Sequence, residues 1–326
     1  MGKSALIIGA TGQDGSHLAD FLLEKDYDVY GLTRRTAHYN LQNIEHLIGN
    51  DKLHILYGDV TDQPSLFNAV ETSNPDEIYN LAAQSLVAES WNQPIYTCEV
   101  GGIGSLNCLE AIRMSKKNVK YFFAGSSEQF ANQTEPIFNE SSKFNPQNLY
   151  GCAKCFGSQA TKIYRDKYNM YACTGIMSNH ESPRRNIQFV TRKITNGVAQ
   201  IYLNISKKIQ LGNIDVQKDW GYAVDFVRAM WMMLQQDNPE DYILCTGKAH
   251  YLSEFLSESF LCIGIENWKD YIEINQNFVR KNEAKLIIGD YSKIKNNIGW
   301  EPIVGFKEMI RIMVENDIEL LRKKQK

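Results

Sequence analysis

Across the first 180 residues, short apolar runs alternate with amphipathic stretches, and no other feature of the chain constrains its fold as much. The runs fall at 5–8, 29–32, 53–57, 78–81, 119–124 and 174–177. Between them, apolar residues recur at helical spacing over 17–24, 64–71, 104–114 and 150–168. Strand, helix, strand at these distances requires crossover connections. The fold class expected is therefore α/β, a doubly wound parallel Rossmann sheet. Beyond Asn179 the pattern turns to helices, at 189–203, 223–235, 252–263 and 306–321, separated by irregular polar segments. This suggests a division into 1–178, carrying the sheet, and 179–326, smaller and mostly helical. Segments near 211–246, with 242–246 among them, are expected to return to the main sheet.

Composition excludes several classes of function. With 43% hydrophobic and 22% charged residues, the chain has enough apolar side chains for a substantial core and is not a disordered polymer. Lys and Arg number 35 against 38 Asp and Glu, a net charge of −3. Bulk charge therefore attracts neither nucleic acid nor an anionic membrane, and neither is expected as a partner. No apolar run approaches the ~18 residues of a membrane span. No signal-peptide pattern precedes Ser4, and Leu6 stands where myristoylation wants Ser or Thr. A cytoplasmic location is expected. The seven cysteines suit reduced thiols in that compartment. Cys152 and Cys155 form a C-x-x-C, but no second pair completes a metal site, and none is expected.

The first strand runs directly into Gly9-Ala10-Thr11-Gly12-Gln13-Asp14-Gly15 and then into a helix. Glycines permit the tight turn and let backbone amides approach a pyrophosphate at the helix N-terminus. The G-x-x-G-x-x-G spacing is the short-chain dehydrogenase/reductase variant of the dinucleotide turn. About 20 residues on, an NAD site presents Asp or Glu to the ribose 2′-hydroxyl. Here Arg34 and Arg35 stand instead, which suits the 2′-phosphate of NADP; a solvated arginine pair is the bland alternative. After the third strand, Asp59 and Val60 are placed at the adenine. After the fourth, Leu81, Ala82, Ala83 and Ser85 are placed under the nicotinamide ribose, with Ser85 also toward substrate.

Tyr150 and Lys154 lie four apart, on one face of a helix. A neighbouring lysine and a positive nicotinamide ring are both expected to lower the phenol from its usual ~10 and make it a base, while Lys154 also holds the nicotinamide ribose. After the fifth strand, Ser126 offers a hydroxyl to a substrate oxygen. Glu128 discriminates between chemistries. Beside a 4-keto sugar, a carboxylate removes the C5 proton and helps expel the C6 hydroxyl; otherwise it is a helix-start glutamate with no chemical role.

With these residues in place, the chain resembles the GDP-mannose 4,6-dehydratases of the extended short-chain dehydrogenase/reductase family over nearly its whole length. The most specific stretches are 9–15 (GATGQDG), 78–85 (IYNLAAQS), 179–185 (NHESPRR), 189–193 (FVTRK) and 211–221 (LGNIDVQKDWG). The resemblance implies catalytic roles for Ser126, Glu128, Tyr150 and Lys154. It implies further cofactor contacts at Tyr96, His180 and Arg185. It places the nucleotide sugar at Asn179, Val190, Lys193, Lys218, Arg280 and Glu283, besides Ser126, Glu128 and Tyr150. The loop 34–43 resembles the segment that reaches a neighbouring subunit's cofactor, so a homo-oligomer, dimer or tetramer, is implied. On this reading 1–178 binds NADP and 179–326 mainly binds the GDP-sugar.

The chain also departs from the family pattern. Ser126 replaces threonine and keeps the hydroxyl. Phe130-Ala131 replaces tyrosine-glycine, and Gln147-Asn148-Leu149 replaces arginine-serine-proline. Lys218 replaces an arginine and loses its bidentate fork. Arg280-Lys281-Asn282-Glu283 replaces arginine-proline-x-glutamate. These changes cluster near the sugar and diphosphate, which leaves GDP-manno-heptose or GDP-N-acetylhexosamine as alternatives to GDP-mannose. Glu128 argues against a nucleotide-sugar epimerase or reductase. A non-catalytic NADP-binding sensor has no need of Tyr150, Lys154 and Glu128 together.

Overall fold

The computed structural model describes residues 2–37, 40–132, 135, 137–278, 286 and 288–325. Its first half runs β1 (Ser4–Ile8), α1 (Gln13–Glu24), β2 (Asp28–Thr33), β3 (Leu53–Tyr57), α2 (Gln63–Ser73), β4 (Glu77–Asn80), α3 (Pro94–Cys98), α4 (Gly104–Ser115), β5 (Lys120–Ser126), β6 (Ile137–Phe138), α5 (Leu149–Tyr168) and β7 (Ala172–Met177). The remainder adds β8 (Asn179–Glu181), α6 (Val190–Tyr202), β9 (Ile209–Leu211), β10 (Gln217–Tyr222), α7 (Ala223–Leu234), β11 (Tyr242–Leu244), β12 (Ala249–Tyr251), α8 (Leu252–Leu261), β13 (Ile272–Ile274), β14 (Ile288–Gly289), α9 (Ser292–Ile298) and α10 (Phe306–Gln325). No described helix is long and apolar enough to cross a membrane.

Seven parallel strands form the main sheet in the order β11-β7-β5-β4-β1-β2-β3. The doubly wound arrangement expected from the apolar alternation is therefore present. β1 pairs with β2 on one side and β4 on the other, so Ile8 lies between Leu32 and Asn80. Chain order reverses there, which opens a crevice at the carboxyl ends of the strands. Helices cover both faces, and β1 is apolar throughout Ala5–Ile8 because neither face meets water. On one face, Leu18 and Leu22 of α1 meet Phe226 and Met230 of α7 over the sheet. On the other, Leu66 of α2 and Leu109 and Ile112 of α4 pack on Leu6 and Phe123.

At the amino ends of the strands, the buried Glu77 carboxylate accepts from Lys3 Nζ (3.1 Å), Tyr27 (3.0 Å), Tyr79 (2.7 Å) and Gln235 (3.0 Å). Four donors offset the cost of taking that charge out of water and tie α7 to the sheet.

The later part of the chain is more mixed than its helical pattern indicates. α6, α8 and α10 enclose a separate apolar cluster with Val198, Phe255 and Met313 at its centre. Asp317, buried within it, pairs with Arg192 and accepts from Thr195 at 2.7 Å. Alongside these helices lie two short-stranded sheets, β12-β10-β8 and β13-β9, and a third, β14-β6, packs against Ile176 and Ile243 of β7 and β11. Strands of two to six residues with half-buried polar positions leave no alternation long enough to read, and α9 escaped notice for the same reason.

Helix α5 owes its position to Gly157. A Cβ there would lie 2.3 Å from Cζ of Phe123 on β5, a fully buried ring. Gly157→Ala is expected to cost about 1–3 kcal/mol by overpacking, against a gain of at most ~1 kcal/mol in helix propensity. A urea midpoint no lower than wild type would contradict this packing account.

Candidate active site

The glycine turn occupies the crevice where β1 and β4 part. Gly9 adopts φ +91°, and a Cβ on it would stand 3.1 Å from the Ala82 nitrogen. Gly12 N–H closes the turn on the Gly9 carbonyl at 3.1 Å, and a Cβ on Gly15 would lie 2.3 Å from the same oxygen. The motif spacing follows: each glycine stands where backbone meets backbone. No side chain caps α1, so its first amides are available to an anion. Leu81 N–H donates to Ile8 O at 2.9 Å, which sets the half-buried Leu81, Ala82 and Ala83 beside the turn; Ser85 is exposed.

Residues far away in sequence hold the turn in place. Asp14 accepts from Gln13 Nε2 at 2.9 Å and pairs with His180 Nε2 at 3.0 Å. Gln13 also donates to the His180 carbonyl (3.0 Å) and accepts from Ser182 (3.0 Å). Burial pushes the Asp14 carboxyl up, but the His180 charge and hydrogen bonds outweigh it and hold the group well below its ordinary range. For His180, burial pulls down, yet Asp14 and the Ser178 carbonyl leave the imidazole raised. Arg185 lies over the Phe189 ring at 3.8 Å, with Nε 3.4 Å from Glu181.

Arg34 and Arg35 are exposed at the end of β2, and among the described residues neither pairs with a carboxylate. Arg34 donates to the Tyr96 hydroxyl, and Arg35 lies 5.6 Å from the Tyr57 ring centre. Tyr96 is thus brought to the arginine pair. Asp59 Oδ1 accepts from Thr61 N and Oγ1, and Val60 is buried, its carbonyl held by Asn107. Thr11 Oγ1 lies 3.5 Å from Thr33 Oγ1, and the Thr11 carbonyl accepts from Asn43 at 3.1 Å. Asn43, within the loop expected to reach a neighbouring subunit, therefore bonds to its own chain's turn; sequence reasoning gave it no role.

At the end of β5, Ser126 N-caps a short 3₁₀ turn, its Oγ accepting from Glu128 N at 3.3 Å. Tyr150 stands in the first turn of α5, where the Ser126 side chain and the Glu128 charge both act on its phenol. Lys154, one turn later and buried, donates to the Ala124 carbonyl at 2.6 Å, with Nζ 5.7 Å from the Tyr150 ring centre. Ser126, Glu128, Tyr150 and Lys154 are therefore brought together. Their electrostatics differ from the sequence expectation. Burial pushes the Tyr150 phenol up to about 12, with Ser126 and Arg185 opposing and Glu128 reinforcing the rise. Burial also pulls Lys154 down to about 8. The expected lowering of the phenol by its lysine is not seen, because desolvation dominates both groups. Glu128 has a partner that sequence reasoning missed: Asn148 donates to its Oε2 at 2.7 Å.

Asn179 and Lys218 lie on the adjacent strands β8 and β10, where Asn179 pairs with Trp220. Val190 opens α6, and Lys193 on the same helix lies 3.9 Å from the Phe278 ring centre, burial lowering its ammonium. Arg280 and Glu283 lie outside the described residues. Phe130, where the family has tyrosine, stacks on Phe138 at 4.5 Å in a closed apolar cluster that needs no hydroxyl.

The Asp14–His180 pair carries a signed expectation. Asp14 contributes stability above its ordinary carboxylate range, lost as pH falls through its lowered value. His180 contributes below ~6.5, lost as pH rises through its raised value. In Asp14→Asn, burial and the Arg185 charge are opposed only by the Ser178 carbonyl, so the imidazole should titrate below ~6.5 rather than above it. Ring-proton chemical shifts against pH measure this, and an unmoved titration would show that the pair is not the cause.

The profile of the GDP-mannose 4,6 dehydratase family matches residues 6–313. GDP-mannose 4,6 dehydratase 1 of Arabidopsis thaliana is 44% identical over 333 residues, covering 99% of this chain and 92% of the relative. The Homo sapiens GDP-mannose 4,6 dehydratase is 42% identical over 349 residues, covering 99% and 94%. Among solved structures, the dTDP-glucose 4,6-dehydratase of Bacillus anthracis in complex with NAD superposes with a TM-score of 0.86, covering 99% of this chain and 100% of that one at 19% identity, which speaks to fold alone. The chain belongs to the GDP-mannose 4,6-dehydratase family of extended short-chain dehydrogenase/reductases.

Proposed function

We propose that the protein is a cytoplasmic, NADP-dependent lyase that converts GDP-mannose to GDP-4-keto-6-deoxymannose and water, working as a homo-oligomer. The observation that carries this reading is Glu128, a carboxylate whose backbone N–H bonds to the Ser126 hydroxyl and whose charge acts on the Tyr150 phenol. The uncapped α1, the glycine turn, and Arg34 and Arg35, which pair with no carboxylate among the described residues, fit the pyrophosphate and 2′-phosphate of NADP. Residues 1–178, with the returning segments near 211–246, are assigned to NADP and 179–326 mainly to the nucleotide sugar.

When bound, NADP supplies the hydride acceptor for C4, the donor for C6 and a positive ring charge beside the phenol. Tyr150 takes the proton of the C4 hydroxyl while Ser126 holds that oxygen. Lys154 orients the nicotinamide ribose. Once C4 is a ketone the C5 proton is acidic, and Glu128 removes it. The same carboxyl then gives a proton to the departing C6 hydroxyl, which leaves as water, and C5 regains a proton from solvent as hydride returns to C6. Lys218 and Lys193 bind the diphosphate, and Asn179 the nucleotide sugar beside it. A C4 epimerase or reductase has no use for a base at C5.

Glu128→Gln keeps shape and hydrogen bonding but removes the base. Its dehydrated product, read as loss of water by mass against a panel of GDP-sugars, should fall by at least ~10²-fold. In D₂O the wild type should place deuterium at C5. Dehydration by Glu128→Gln at the wild-type rate would make the carboxylate structural.

Charge-assisted bonds from guanidinium to phosphate are worth about 1.5–3 kcal/mol. Arg34→Ala should therefore weaken NADP binding by about tenfold or more and leave NAD nearly unchanged. Equal wild-type affinity for the two cofactors, by calorimetry, would contradict the 2′-phosphate assignment.

A further inference from the structure

The Glu128 carboxylate is tied to the helix that carries Tyr150 through one side chain. Asn148 Nδ2 donates to Glu128 Oε2 at 2.7 Å, while its Oδ1 accepts from Gly151 N at 2.8 Å as the N-cap of α5. The amide cannot turn over, because the Gly151 N–H needs an acceptor and an ionised carboxylate needs a donor. Glu128 is also held by its backbone. Its N–H donates to Ser126 Oγ, and its carbonyl sits where a Cβ on Gly151 would come to 2.6 Å. One carboxylate oxygen is thereby fixed, and Oε1 has no hydrogen-bond partner among the described residues. A serine, which the family carries at this position, can accept from Gly151 N, but its hydroxyl ends one bond short of the amide nitrogen that reaches Glu128.

We propose that Asn148 is a positioning residue for the elimination step: it fixes Glu128 Oε2 to the first turn of α5, leaving Oε1 to take the C5 proton. The inference rests on Glu128 being the base. It makes Asn148 a device of this chain, joining in one side chain the cap that places Tyr150 and the clamp that places the carboxylate. Misplacing a reacting group by about an ångström costs on the order of 10²-fold in rate, so the clamp has an effect large enough to measure.

Two substitutions that keep a cap acceptor separate the clamp from the cap. Asn148→Ser is expected to lower kcat for water loss by roughly ten- to a hundredfold, with KM, NADP affinity and urea midpoint near wild type. With 5-deuterated GDP-mannose, its isotope effect on kcat should exceed that of wild type, because C5 proton removal has become the slow step. Asn148→Asp keeps size and cap but sets a second carboxylate against Glu128, and two such groups in contact do not both ionise readily. The acidic limb of its pH–rate profile should move up by about one unit or more. Wild-type kcat, isotope effect and pH profile in both variants would overturn the proposal. So would a loss of kcat that only tracks a lower urea midpoint, since a cap alone explains that. The controls are distinct: Glu128→Gln disabled beside an unaffected Asn148→Ser overturns this inference alone. A Glu128→Gln that dehydrates normally, or a wild type that dehydrates no GDP-sugar, overturns the functional reading and this inference with it.

Discussion

Helix α5 lies closer to β5 than most side chains permit, and the arrangement of the site depends on that approach. Gly157 admits the Phe123 ring at one point and Gly151 admits the Glu128 carbonyl at another. With the helix seated, Lys154 reaches the Ala124 carbonyl and is sealed from water. Moving its titration from the ordinary lysine value to about 8 costs the ammonium on the order of 3 kcal/mol at neutral pH. The unfolded chain binds the extra proton between about 8 and 10.5, so this cost fades as pH rises through that window. A lysine placed for stability would sit outside. This one carries a cost that its assigned role beside Tyr150 offsets.

Burial acts on Tyr150 and Lys154 in opposite directions, raising the phenol and lowering the ammonium, and in both it favours the neutral form. Asp14, half-buried, and His180, buried, instead favour their charged forms, because each is the other's partner. The site thus keeps a fixed ion pair under the glycine turn, while at Tyr150 and Lys154 burial opposes charge and no carboxylate ion pair offsets it among the described residues. Charge arriving with ligands then acts on Tyr150 and Lys154 without competition from a preformed pair.

What could be read from residues alone follows from burial and length. β1 is apolar on every position, so its place at the centre of the sheet was legible, as was the turn that follows it. β8 and β12 have three residues each, and their pairing with β10 is visible only in three dimensions. Tyr150 and Lys154 were recognisable by spacing, but the direction in which the phenol moves depends on how completely the site excludes water. Asn148 read as a departure from a family pattern; its Asn-to-Gly151 cap was available as a helix-start signal, its bond to Glu128 was not. Asn43 lacked any local signal, since its partners Thr11 and Arg184 are far along the chain.

The two most specific stretches, 179–185 and 211–221, are joined by a single stack of side chains. Gly221 pairs with His180 in the β8–β10 register, and a Cβ on Gly221 would lie 2.4 Å from the Phe226 ring. Because that space is empty, Phe226 stacks on the His180 imidazole at 4.6 Å, and His180 in turn holds Asp14 in the glycine turn. The glycine after Trp220 therefore acts on the nucleotide end of the crevice through two rings. On β8, side chains alternate faces, so the Asn179 side chain points away from that stack, on the strand that also pairs with the one carrying Lys218. One short strand thus sets the His180 imidazole and the Asn179 amide in fixed relation. An error of a single residue in its register would exchange the two.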